Sequence, residues 1–212
     1  MRNKYSVFLR GFNPEDYILI NKWRNDRDIQ SLTGGTFRYV PLEMEKEWVT
    51  RKMMDNVRDI YLAICLNENP ELMVGYTSIN NIDYIHRSAH GGGIVVGDKN
   101  YRDGIIRFEA SCLVREHVFE DMNLHRFSAA CLSEHLVSRI TIEASGFTLE
   151  GTKRDAIYKD GKYHDLLQYS LLKEEYELLK NNNAYSIRNY VRNVQLLKKK
   201  YLNKKEDGYG NE

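Results

Sequence analysis

Gly93-Ile94-Val95-Val96-Gly97-Asp98-Lys99-Asn100-Tyr101-Arg102 runs directly into Asp103-Gly104-Ile105-Ile106-Arg107-Phe108-Glu109-Ala110. Ile94, Val95 and Val96 end a strand, because β-branched residues suit a pleated, buried surface. From Gly104 to about Asp121 the period becomes helical, with Ile106, Ala110, Leu113, Val114 and Val118 on one face. A polar loop joins the two. Taken alone, Ile94–Val96 is a core strand and nothing more.

Upstream, Tyr5 to Arg10 reads as a strand, and Asn13-Pro14-Glu15-Asp16 marks a helix start. Asn13 suits the cap, Pro14 the first helical position, and the two acids the positive helix end. A second helix runs from Pro41 to about Met54, with Met44, Trp48 and Val49 inward and Glu43, Glu45, Lys46 and Glu47 outward. Ile60–Leu66 is a buried strand, 67–70 a turn, and Met73 starts a long strand. Downstream come a short strand at Phe127–Leu132, a helix from Glu134 to Ser145 ended by Gly146, and strands at Phe147–Tyr158 and Tyr163–Leu172. Asp160-Gly161 between the last two is a hairpin signal. The order βααβββαβαββ, then a helical tail, predicts an α/β (α+β) fold with a mixed sheet and helices on its faces.

The 212 residues amount to one domain with a tail. Apolar residues at 42% and charged residues at 29% exclude a wholly disordered chain. No run approaches the ~18 apolar residues of a membrane span. Met-Arg-Asn-Lys-Tyr leads straight into the first strand without an apolar signal segment, so the expected location is cytoplasmic. Cys65, Cys112 and Cys131 lack paired spacing and read as reduced core residues. Residues 178–212 carry eight Lys and Arg against three acids, a net +5, and residues 1–177 carry 23 against 27, a net −4. An acidic body disfavours duplex DNA as a ligand and is compatible with a cationic small molecule.

Four segments resemble the GNAT superfamily of N-acetyltransferases, in the branch of the ribosomal-protein-alanine, spermidine and amino-sugar acetyltransferases. They are Trp23-Arg24-Asn25-Asp26; Gly93 to Arg102; Leu124-His125-Arg126 with His135-Leu136-Val137-Ser138 and Ser145-Gly146-Phe147; and Glu150-Gly151 through Asp160 to Asp165 and Tyr169. The resemblance covers about residues 5–176 and implies a mostly antiparallel sheet. It also implies acetyl-CoA as co-substrate and a primary amine as acceptor: a small molecule, such as a polyamine or amino sugar, or a protein N-terminus.

By resemblance, Ile94, Val95 and Val96 splay from a neighbouring strand and offer backbone groups to the pantetheine arm. Arg102, Asp103, Gly104, Ile105, Ile106 and Arg107 form the pyrophosphate loop at a helix N-terminus, where free amides receive anions. That loop departs from the family pattern, since Ile105 and Arg107 fall where two glycines are expected. A β-branched Ile at positive φ is strained. Either the loop shifts so that Gly104 serves and Arg102 or Arg107 contacts phosphate through its side chain, or the chain is a catalytically degenerate module with a binding role.

Acetyl transfer needs a proton for the departing thiolate. The acid tyrosine of the spermidine-acetylating relatives falls here on Ile142, which cannot donate. Ser138, at the place of a candidate serine acid in the ribosomal-protein branch, is the expected acid. His135 stands three residues before it, where the family often has Asn, and is assigned to the cofactor or to a proton relay. Glu47 is the candidate base, and Trp23, Tyr163 and Asp165 the candidate acceptor contacts. The histidines show no metal-ligand spacing, so no metal is expected.

The tail splits into a basic amphipathic helix over 178–202 and an end, 203–212, expected to be disordered. Ile187, Tyr190, Val194, Leu197 and Tyr201 form a heptad stripe suited to the chain's own body, a second subunit, an acidic partner, RNA or an anionic membrane.

Overall fold

The computed structural model describes residues 4–31, 35–55 and 57–206. Its seven strands are β1 (Val7–Gly11), β2 (Ile60–Leu66), β3 (Met73–Asp83), β4 (Ser88–Val96), β5 (Arg126–Leu132), β6 (Thr148–Lys159) and β7 (Lys162–Leu172). They form one sheet in the order β1-β2-β3-β4-β5-β7-β6. Every neighbouring pair is antiparallel except β4 and β5, which are parallel. The helices are α1 (Tyr17–Arg24), α2 (Arg27–Ser31), α3 (Leu42–Met54), α4 (Ile105–Glu116), α5 (Leu136–Ala144), α6 (Lys173–Asn181) and α7 (Ile187–Glu206).

Alternation along β2 shows how the layers are built. Ala63 and Cys65 face α1–α3, where they pack with Phe12, Ile20, Trp23 and Val49. Ile64 and Leu66 face the opposite side, where they meet Val96 together with Ile106 and Ala110 of α4. All three cysteines are free and buried.

The helical segment after β1 is broken into a 3-10 turn (Pro14–Asp16), α1 and α2. Asn25 and Asp26 explain the break. Val40 N–H donates to Asn25 Oδ1 at 3.0 Å, and Asn25 Nδ2 donates to Val40 O at 3.0 Å, so Asn25 leaves the helix to hold the approach to α3. Asp26 Oδ1 then accepts from Asp28 N at 2.9 Å and begins the next helix.

On α3 the inward face differs from the expectation. Glu45 is wholly buried and Met44 is 61% exposed. Apolar counting selects Met44, but Arg24 of α1 lies opposite the other position, with Nη1 3.4 Å from Glu45 Oε1. The Arg24 guanidinium also stacks 3.9 Å over Trp48. A side chain that can pair with Arg24 therefore occupies the inner face at Glu45. Burial pushes the Glu45 carboxyl up, and Arg24 opposes the rise.

The tail is two helices rather than one. α6 begins at Lys173, and its Tyr176 belongs to the main core. The chain turns through Asn183, whose φ is 55°, before α7 begins. α7 continues through residue 203, where disorder was expected, to Glu206; residues 207–212 lie outside the described range.

Candidate active site

β4 and β5 touch only at their beginnings. Ser88, Ala89 and His90 pair with Arg126, Phe127 and Ser128, and no later residue of either strand pairs with the other. His90 and Ser128 sit at the crotch of this fork, with Nδ1 and Oγ 3.1 Å apart, and Ser128 Oγ donates to Ala89 O at 3.1 Å. Burial holds the His90 imidazole below its ordinary value, and Lys153 adds to the effect.

Directly beyond the crotch lie Gly91, Gly92 and Gly93. The β3–β4 register slips there, from Thr77↔Ile94 to Ile79↔Gly91, which is a bulge. Gly93 has φ +87°, and its carbonyl accepts from Thr77 Oγ1 at 2.8 Å. A Cβ on Gly92 would lie 1.9 Å from Ser78 Oγ. Bulges bend a strand and re-aim its backbone. This one turns β4 away from β5, leaving the edge of Ile94 and Val95 without a partner in β5. The glycine run escaped the sequence reading because three glycines resemble a loop. A glycine inside a strand pattern was the available signal.

The loop into α4 is held from within. Arg102 Nε donates to Val96 O at 3.0 Å and Nη2 to Gly97 O at 2.9 Å, so this guanidinium staples the loop. Asp103 Oδ1 accepts from Ile105 N at 2.8 Å. Gly104 has φ +90°, whereas Ile105 and Arg107 are helical residues with negative φ. The left-handed position has moved one residue back, and the strain foreseen at Ile105 does not arise. Ile106 is buried in the core and Ile105 is 41% exposed. Among the described residues, half-buried Arg107 makes no ion pair and no side-chain hydrogen bond. Burial lowers its pKa, and the nearby Arg102 charge lowers it further.

On the other arm, α5 starts after β5 with His135 at its cap position. Ser138 Oγ and His135 Nδ1 are 2.8 Å apart. Burial and then the charge of Arg107 hold His135 below its ordinary value. Ser138, His135 and Arg107 are thus brought together at the fork.

The other candidates lie elsewhere. Trp23 is buried, stacked on Tyr76 at 6.2 Å and pressed so closely on Gly97 that a Cβ there would lie 2.0 Å from its ring. Glu47 is on the exposed side of α3. Tyr163 is exposed against Tyr158, with ring centroids 5.0 Å apart. Asp165 Oδ1 accepts from Asp155 N at 2.9 Å, tying β7 to the bulged β6.

A family model described as the acetyltransferase (GNAT) domain matches residues 6–148. The chain belongs to the GNAT acetyltransferase family. YdaF of Bacillus subtilis (strain 168), named provisionally as a ribosomal N-acetyltransferase, is 34% identical over 105 residues, 50% of this chain and 56% of YdaF. The chain thus spans little more than half of that relative. The spermidine N(1)-acetyltransferase of Vibrio cholerae serotype O1 (strain ATCC 39315 / El Tor Inaba N16961) is 23% identical over 168 residues, 79% of this chain and 94% of that one. Among solved structures, a Vibrio cholerae spermidine N-acetyltransferase in complex with CoA and spermine has a TM-score of 0.73 at 20% identity, covering 81% of this chain and 98% of that one. At that identity the likeness is one of fold. Part of β6 and all of β7, α6 and α7 of this GNAT chain lie beyond the family match.

Proposed function

We propose that this chain moves an acetyl group from acetyl-CoA to a primary amine by direct transfer. The observation that carries the reading is the fork: a central parallel pair joined over three residues, opened by a glycine bulge, with Ser138 and His135 on the helix of its second arm. An extended amide-bearing arm needs a slot lined by unpaired backbone groups, and the Ile94–Val95 edge of β4 supplies one. Its anionic end needs donors, and the first turn of α4 with Arg107 supplies them.

Acetyl-CoA supplies an activated thioester. The backbone of β4 orients it, and an amide there favours the oxyanion that develops on attack. Ser138 Oγ–H donates the proton required by the departing sulfur. His135 supports it as the Nδ1–H tautomer, donating to Ser138 Oγ and recovering its own proton from solvent at Nε2. The neutral amine attacks the thioester carbon and sheds an N–H proton as the C–N bond forms and the C–S bond breaks. Glu47, exposed on α3, is the base that takes this proton through water. The acceptor class is a primary amine, either a small molecule such as a polyamine or amino sugar, or a protein N-terminus.

Ile105, Arg107 and Ile142 motivate the alternative of a non-catalytic module, and the helical geometry of Ile105 and Arg107 removes the steric objection at those two. Calorimetric titration with acetyl-CoA, using dephospho-CoA for comparison, tests the reading. Micromolar binding is expected, followed by thiol release when amines are supplied. An absence of heat at millimolar acetyl-CoA would overturn it.

A further inference from the structure

α5 is held firmly at its end and lightly at its start. Towards its end, Ile140 and Ala144 are buried. The Glu143 carboxylate accepts there from Tyr169 Oη at 3.1 Å and from Tyr201 Oη at 2.6 Å. Residues 136–139 are half-buried or exposed, and His135 makes no side-chain cap to the helix. The backbone before them is tied to β7, with Ser133 N–H donating to Asp165 O at 3.0 Å. The Ser138 hydroxyl sits in this first turn, so its position depends on what fixes the entry to the helix.

His164 of β7 reaches that entry. Its side chain is 8% exposed, and each ring nitrogen faces an acceptor. Nδ1 meets Glu134 Oε1, and Nε2 meets Lys159 O at 3.0 Å. Both contacts are hydrogen bonds when both nitrogens carry hydrogen. Among the described residues, His164 is the only side chain of another element that bonds residues 133–138. Glu134 Oε2 also accepts from Ser133 Oγ at 3.1 Å, which orients the carboxylate. Lys159 is itself anchored, its Nζ donating at 3.1 Å to Ser31 O at the end of α2. A continuous set of contacts therefore runs from α2 through Lys159, His164 and Glu134 to His135, whose Nδ1 lies 2.8 Å from Ser138 Oγ.

We infer that His164 is a positioning residue for acetyl transfer: gripping Glu134 from β7, it sets the entry of α5 and with it the line along which Ser138 Oγ–H meets the departing sulfur. This rests on Ser138 as the acid of the proposed function. A ring bonded at both nitrogens has one orientation, whereas exposed Glu134 would otherwise lie free in water. Misplacing a catalytic group by about 1 Å costs on the order of 10²-fold, so a contact one residue before the His135–Ser138 pair bears on rate.

The test follows thiol release from acetyl-CoA by the full chain, with spermidine, glucosamine and an alanine-terminated peptide as acceptors. Calorimetric acetyl-CoA affinity and the thermal midpoint are measured alongside. Asn places an amide donor near the Nδ1 position and Gln places one near Nε2. His164→Asn, which keeps the contact to Glu134, is expected to retain most of kcat. His164→Gln, which keeps only the contact to Lys159, is expected to lower kcat about tenfold or more with acetyl-CoA affinity within about twofold. Glu134→Ala changes an exposed side chain and should match His164→Gln, and the two together should cost no more than either. In a Ser138→Ala background, His164→Gln should have no further effect on kcat. Losses that multiply with Ser138→Ala would make His164 a general structural residue and overturn the inference. A lowered thermal midpoint with kcat unchanged, or equal kcat in His164→Asn and His164→Gln, would also overturn it. If Ser138→Ala keeps wild-type kcat, or the wild-type chain turns over none of the three acceptors, the proposed function fails and takes this inference with it. A slow Ser138→Ala beside wild-type rates in His164→Gln and Glu134→Ala rejects this inference alone.

Discussion

The two helices that leave the fork begin in opposite ways. α4 begins with everything around it spent on its own backbone: a left-handed Gly104, an aspartate folded onto Ile105 N, and a guanidinium on two carbonyls of its own loop. α5 begins at His135, which makes no side-chain cap to the helix; its imidazole and the Ser138 hydroxyl, 2.8 Å apart, bond each other instead. Side chains spent on backbone fix a position, and titratable side chains left to one another can exchange a proton. The first arm is therefore suited to holding a ligand and the second to chemistry.

Ser138→Ala is the sharpest way to separate them. Loss of a positioned proton donor is expected to lower kcat by ~10²-fold or more, while calorimetric affinity for acetyl-CoA and the thermal midpoint stay near wild type. An affinity that falls with kcat would assign Ser138 to binding and erase the contrast. Gly104→Val should do the reverse. A β-branched residue held at φ +90° costs about 1–3 kcal/mol. For a chain of this size that is about 2–12 °C of thermal midpoint, and acetyl-CoA affinity is expected to fall with it. A midpoint unchanged in thermal melts would mean that the loop has another way to enter α4.

The smallest effect is in pH. Burial holds both His90, at the crotch, and His135, on the second arm, below their ordinary values. The unfolded chain then binds protons that the folded chain refuses, so stability falls as pH drops through the ordinary histidine range towards the folded values. Thermal midpoints between pH 8 and pH 5 should decline in the wild type and less steeply in His135→Asn. Equal slopes would show that His135 is solvated.

Much of this was legible along the chain. The strand ending at Val96, the strand limits around Asp160-Gly161 and the tail positions Tyr190, Val194, Leu197 and Tyr201 follow from local periodicity and turn chemistry. Ile187, the first position of the stripe, is 44% exposed because the docked surface begins a turn later. Partners distant in sequence were not legible. Glu45 turns inward for Arg24, the glycine bulge is defined by register against β3, and the roles of Arg102 and Arg107 part only once one of them has found the carbonyls of its own loop. Ser138 and His135 were legible singly, and their hydrogen bond was not.

A sheet that opens in its middle has four free margins instead of two, and any free margin can recruit a strand from another molecule. The two inner margins belong to β4 and β5, joined at the crotch over three residues. The outer two are guarded differently. β1 is only five residues long. β6 is long, but its register breaks twice, and it carries Lys153, Arg154 and Asp155 along its exposed length. Short, bent or charged margins resist edge-to-edge association, so the chain can keep an open seam at its centre without inviting aggregation at its rim.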